Sequence, residues 1–222
     1  MKKFGMALIL VGVLLVTGAL GITIYNVADS NRAGRATQAL LGPVAEAISE
    51  RKKEPLDLAH PEGGVVPEMP VFEKNGLRYV GVIEIPSLSL SLPVLENWSY
   101  ELLKISPCRY AGSCYTNDLV ICAHNYRKHF SNLKWIPAGS EVRLLAVDGA
   151  TYTYEVTEIE TLKPTAVKEM TVPENREWDM TLFTCTTGGQ ARAAVRCVMK
   201  DKTPPKYMSD EWYEMPESNV KK

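Results

Sequence analysis

The amino-acid sequence predicts a mainly β protein: a closed β-barrel of about seven or eight strands with one or two short helices, preceded by a transmembrane helix. Three observations predict it. The chain opens on a long uncharged apolar run; from Leu77 onward, short segments alternate apolar and polar residues between turn signals; and Asp148-Gly149 joins two β-rich runs as a hairpin.

The opening run extends from Phe4 to about Tyr25 behind Lys2 and Lys3. Crossing the ~30 Å hydrocarbon core of a bilayer takes roughly 20 residues, which this run supplies. A cleaved signal peptide has an apolar core of only about 7–15 residues, so a retained anchor over residues 1–27 is expected. Positive charge ahead of the span favours a cytoplasmic N-terminus and an extracellular body on a single-pass anchor.

Residues 28–75 read as a stalk and linker. "ADSNRAGRATQALLGPVAEAISERKK" is helical in texture, with a break or kink expected near Gly42-Pro43. Glu54 to Gly76 is rich in proline and glycine with little periodicity, a semi-stiff connection in which His60 reads as solvated.

The β domain occupies residues 76–203. "LRYVGVIEIP" and "LSLSLPVLE" alternate as half-buried strands do, and Pro86 and Pro93 belong at strand ends or edges because proline donates no ladder hydrogen bond. "SYELLKI" is a short helix. "NDLVICAHN" is nearly continuous in apolar residues and fits a central strand covered on both faces. "SEVRLLAVDGATYTYEVTEIETL" is the hairpin, and "MTLFTC" and "ARAAVRCVM" supply two more strands. Residues 204–222 form a proline-punctuated acidic tail.

The charge balance excludes one class of function. The 25 basic residues nearly match the 26 acidic ones, and no long Lys/Arg run occurs, so no nucleic-acid footprint is visible.

The five cysteines carry the chemical argument. An odd number in an exported domain leaves at least one thiol unbridged. Strand phase puts Met180, Leu182 and Thr184 on one face of "MTLFTC" and Thr181, Phe183 and Cys185 on the other. If Leu182 faces the core, Cys185 leaves it at the strand end, where Gly188-Gly189 open a loop. Only a few per cent of an unassisted thiol is thiolate at neutral pH, so a nucleophilic cysteine needs a partner. Of the three histidines, His124 ends the apolar strand "LVICAHN", a position matching that of Cys185 if the two strands are parallel neighbours. His129 reads as a surface-loop residue. Attack on a carbonyl also requires a group to stabilise the oxyanion. Arg192 opens the strand after the cysteine loop and would lie across from Cys185 in a hairpin. Arg196, four residues on, is a weaker candidate that reads as a solvated outer-face residue. Cys122 and Cys197 read as buried small hydrophobes.

"TLFTC", a histidine ending a strand in "AHN" and an arginine after the cysteine loop together resemble the sortases, membrane-anchored cysteine transpeptidases of Gram-positive bacteria. "YVGVIEIPSLSLSLPV" is similar to the start of their barrel, and the likeness runs from about Tyr79 to Val198. It implies that Cys185 is the nucleophile, His124 the catalytic histidine and Arg192 the arginine at substrate and oxyanion, with Thr184 a helper at the oxyanion. It implies cleavage of an LPxTG-like sorting signal on exported proteins and transfer, through a thioacyl-enzyme, to an amine of a peptidoglycan precursor or a pilin. Neither cofactor nor metal is called for: the spacing of Cys108, Cys114, Cys122 and His124 matches none of the short paired zinc motifs. Residues 161–180 are short for a class B insertion, and an extended loop of the class A or D kind fits better. Cys108 and Cys114 flank a small turn, where a local disulfide and two reduced thiols are both open. An anchored cysteine hydrolase of the same barrel and a catalytically idle cell-surface binding domain are the alternatives.

Overall fold

The structure, a computed structural model, describes residues 2–51, 68–173, 175 and 177–203. Its β-strands are β1 (Phe72–Lys74), β2 (Leu77–Ile85), β3 (Leu90–Leu95), β4 (Cys108–Ala111), β5 (Leu119–Ala123), β6 (Glu141–Ala146), β7 (Thr151–Leu162), β8 (Met180–Cys185) and β9 (Arg192–Thr203). The helices are α1 (Lys2–Arg51) and the single turns α2 (Tyr100–Leu103) and α3 (Val167–Met170). The sheet runs β1-β2-β3-β4-β5-β8-β9-β7-β6, and pairing of β2 with β6 closes eight of these strands into a ring, with β1 outside it. The mainly β fold behind an apolar N-terminal helix therefore stands.

Local sequence explains the elements. Gly149, at φ 91°, turns β6 into β7 as the Asp-Gly pair predicts. Pro86 follows β2 directly. Pro93 lies inside β3, where β2 pairs with one edge and β4 joins the other only at Leu95, so its missing N–H breaks no ladder. Ser99 caps α2 by accepting from Leu102 N at 3.1 Å.

Two apolar clusters divide the strands by face. The ring interior holds Val80, Ile83, Leu92, Ile121, Leu144, Tyr154, Leu182 and Val195 among others. The second cluster lies outside, where Val44 and Ile48 of α1 and Met170 of α3 pack with Tyr79, Val82, Cys122 and Phe183. Leu182 inside and Phe183 outside fix the phase of β8, and Cys185 follows Phe183 to the outer side.

Helix α1 differs from the sequence expectation in two ways. It runs through Gly42-Pro43 without a break, and its second half lies on the strands. Ala33, Thr37, Val44 and Ile48 are buried at helical spacing along one stripe. Proline inside a helix costs about 3 kcal/mol, whereas full burial of an aliphatic side chain contributes roughly 1.5–3 kcal/mol. Burial of Val44 and Ile48 just beyond Pro43 therefore offsets its penalty. Residues 4–28 of the same helix are exposed throughout, and the 18-residue apolar window in it has a mean hydropathy of 2.6. His60 lies outside the described residues.

Candidate active site

The site is assembled by two strand pairings. Strands β5 and β8 are parallel neighbours with Ala123 opposite Thr184, so the next residues, His124 and Cys185, leave the sheet at the same end. Strands β8 and β9 are antiparallel, and Cys185 pairs directly with Arg192. The loop between them is closed by Thr186 N donating to Ala191 O at 3.0 Å and Gly189 N to Thr186 O at 2.8 Å. Gly188 and Gly189 both have positive φ, which favours glycine at the tip. His124, Cys185 and Arg192 all line one cavity of about 170 Å³.

Apolar side chains complete that cavity. Trp98 and Tyr110 stack at 5.3 Å between ring centroids, Tyr110 meets Phe183 edge-on at 5.1 Å, and Val167 and Met170 of α3 form another wall. The sequence reading missed these residues; the aromatic pair in "NWSYELL" and Tyr110 in "CRYAG" were the available signal. A wider cleft around Glu160, Trp178 and Arg196 lies apart from Cys185.

Burial separates the cysteines. Cys108, Cys114, Cys122 and Cys197 are buried, whereas Cys185 is half-buried and reaches the cavity. Desolvation pushes the thiol of Cys108 up to about 12 and raises those of Cys114, Cys122 and Cys197 as well, so these four are poor thiolates. Cys122 and Cys197 are the buried small side chains expected. Cys108 and Cys114 are free and pack in different apolar clusters.

Burial also holds the pKa of His124 below the ordinary histidine value, because the imidazolium is the form that desolvation penalises. The Asp29 carboxylate opposes that shift and Lys104 adds to it. Tyr126, its ring 4.8 Å from that of His124, donates its hydroxyl to Asp29 Oδ2 at 2.6 Å. Arg192 Nη1 donates to Gly189 O at 3.2 Å and Ala191 O at 3.1 Å, orienting the guanidinium against its own loop. Thr184 is buried and donates its hydroxyl to Ala123 O at 2.8 Å, clamping β8 to β5. That bond leaves the hydroxyl no second proton for a substrate oxygen.

Two residues depart from their sequence readings. His129 is 1% exposed rather than on a surface loop: its Nε2 lies 2.8 Å from Thr37 Oγ1 of α1. Arg196 is 1% exposed rather than solvated. It donates from Nε and Nη2 to Glu160 Oε2, from Nη1 to Thr181 Oγ1 at 3.0 Å and from Nη2 to the Glu169 carbonyl, and its guanidinium lies 4.3 Å from the Trp178 ring. Ala194, its neighbour on the same strand face, is small, and the loop after β7 folds over the arginine. Among the described residues no group of three or more His, Cys, Asp or Glu could hold a metal ion.

No curated protein matches the chain. Solved structures do. A sortase D5 transpeptidase from Clostridium perfringens superposes with a TM-score of 0.57 at 19% identity, over 75% of this chain and 99% of that one. Sortase C1 of GBS pilus island 1 gives 0.59 at 19%, over 78% and 97%. Sortase C1 from Streptococcus agalactiae gives 0.54 at 21%, over 75% and 98%. At such identities these likenesses speak for the fold. The family is decided by sequence: the family model described as "Sortase domain" matches residues 83–200, more than half of the chain. The chain belongs to the sortase family.

Proposed function

We propose that this sortase is a cysteine transpeptidase that cleaves an LPxTG-like sorting signal and transfers the acyl group to an amine of the cell wall or a pilin. The observation that carries the reading is the meeting of Cys185, His124 and Arg192 at one cavity, through the β5–β8 and β8–β9 pairings. Cys185 Sγ attacks the scissile carbonyl as its thiol proton passes to His124, and the resulting oxyanion is met by Arg192. His124 delivers its proton to the departing amine as the C–N bond breaks, leaving a thioester on Cys185. The acceptor amine then attacks the thioester, its proton passes to His124, and the thiolate leaves. The thioester keeps the acyl group activated for the second step. The apolar wall of Trp98, Tyr110 and Phe183 suits the side chains of a sorting signal. The anchor places the extracellular body where exported substrates emerge and membrane-bound precursors present their amines.

The test uses the full-length protein in detergent, since α1 contributes to the outer core. Incubation with LPxTG-like and NPxTN-like peptides and an amine acceptor is followed by mass spectrometry of the products. The expected result is an amide with the acceptor and a thioester adduct on Cys185, both lost in Cys185→Ala. Turnover that Cys185→Ala leaves unchanged, or no turnover of any peptide, sinks the reading. Release of free acid alone, with the amine ignored, identifies a hydrolase instead.

A further inference from the structure

Helix α1 does not merely tether the ring; it fixes its height. Asp29 and Ser30, within about a turn and a half of the end of the apolar run, already bond to the segment after β5. Tyr126 reaches Asp29, and Arg127 N donates to Ser30 Oγ at 3.0 Å. An ideal Cβ on Gly34 would stand 2.7 Å from Lys128 Cγ, so helix and segment are in direct contact. The span and the docked stretch are one unbroken helix, which excludes a flexible joint between membrane and domain.

A groove of about 530 Å³ lies at that level. One wall is α1 from Thr23 to Asn31, and the other includes Arg127, Lys134 and Trp135. Seven residues of helix rise about 10 Å, so the stretch from Thr23 to Ser30 straddles the end of the apolar run at Tyr25. The stretch therefore crosses from the hydrocarbon boundary through the headgroup layer, roughly 5–8 Å thick on each side. The chemistry of the wall fits it. Trp135 is 72% exposed, Lys134 Nζ lies 4.9 Å from its ring centroid, and the exposed Arg127 lines the same groove. Among the described residues no carboxylate lines the groove. Tryptophan settles at bilayer interfaces, and cations beside it are drawn to anionic headgroups.

We propose that Trp135, Arg127 and Lys134 form a second membrane contact, seated in the headgroup layer of a bilayer containing anionic phospholipid. Thr187, two residues beyond Cys185, lines the same groove. The contact therefore holds the loop after the candidate nucleophile at the membrane surface. The inference rests on the reading of α1 as a retained membrane anchor.

Full-length protein is reconstituted in phosphatidylcholine vesicles, with and without phosphatidylglycerol. Tryptophan emission is quenched by lipids brominated in the upper acyl chain. The expected result is quenching that is stronger with phosphatidylglycerol, mostly lost in Trp135→Phe, and reduced to the level of plain phosphatidylcholine in Arg127→Glu/Lys134→Glu. Flotation of the vesicles reports the anchor separately. Protein that fails to float overturns the anchor reading and this contact with it. Protein that floats while Trp135→Phe leaves quenching unchanged overturns the contact alone, as does quenching indifferent to phosphatidylglycerol and to the double variant. Trp135 is exposed and Arg127 and Lys134 lie at the surface, so unchanged thermal melts confirm that the variants are folded.

Discussion

At the scale of single residues, charge placement around His124 sets its protonation. Desolvation lowers its pKa, Asp29 pulls it back up and Lys104 pushes it further down. Lys104→Gln is therefore expected to raise the pKa of His124, and Asp29→Asn to lower it, read from the imidazole resonances in an NMR titration. An imidazole titration unmoved in both variants would show that these two charges do not reach the ring. Thr184 makes a second residue-scale case. Its hydroxyl is committed to the Ala123 carbonyl, so Thr184→Val removes a buried bond and is expected to cost about 1–2 kcal/mol in a denaturant melt, with Thr184→Ser restoring most of it. Stability unchanged in Thr184→Val would mean that the hydroxyl is free to serve elsewhere. The outward phase of Cys185 was legible in the sequence because strand alternation has a period of two. The parallel pairing that brings His124 beside it is a long-range contact, which the sequence offered only as a condition. The emergence of Cys185 opposite Phe183's neighbours followed from "MTLFTC" alone.

At the scale of elements, Arg196 is the hub of the loop that walls the cavity. It grips Glu160 on β7, Thr181 on β8 and the carbonyl of Glu169 within α3, and α3 contributes Val167 and Met170 to the site. Replacing it by methionine removes the donor to Glu160 and to the Glu169 carbonyl, while Thr181 Oγ1 keeps its bond from Trp178 Nε1 at 2.9 Å. Glu160 is 37% exposed, so its share is screened, and the expected loss of stability is about 2–3 kcal/mol. The sharper expectation is kinetic. With α3 loosened, KM for a cleaved peptide should rise severalfold while kcat changes little, whereas Arg192→Ala should lower kcat. Equal losses in both parameters for Arg196→Met would place it nearer the chemistry than the geometry does. The sequence hid this role because an arginine after two alanines and a valine, on an outward phase, resembles a solvated residue. What buries it is the loop after β7, whose path no local pattern specifies.

At the scale of the whole molecule, the docking of α1 was the least legible feature, although its trace is present. Ala33, Thr37, Val44 and Ile48 share one narrow helical stripe, but alanine and threonine make it too weak to distinguish a docked helix from a polar stalk. His129 turns that docking into a pH-dependent contact. Thr37 has one hydroxyl proton, and its 2.6 Å approach to Ile105 O takes it, so His129 Nε2–H donates to Thr37 and Nδ1 is the bare nitrogen. Nδ1 is buried with no hydrogen-bond partner among the described residues, Tyr126 packs on the ring at 5.5 Å, and His124 disfavours a second positive charge nearby. Burial thus pushes the pKa of His129 down to about 4. An undocked His129 would titrate near 6.5. The contribution to docking is therefore complete above about pH 6.5 and is lost as pH falls toward about 4, where the undocked form takes the proton first, a change on the order of 3 kcal/mol. Hydrogen exchange, corrected for intrinsic rates, should show residues 29–48 protected at neutral pH and progressively less so at acid pH, with the ring strands still protected. His129→Gln should remove most of that pH dependence while keeping a donor to Thr37. Protection of α1 that falls with acid equally in His129→Gln would assign the effect to other groups.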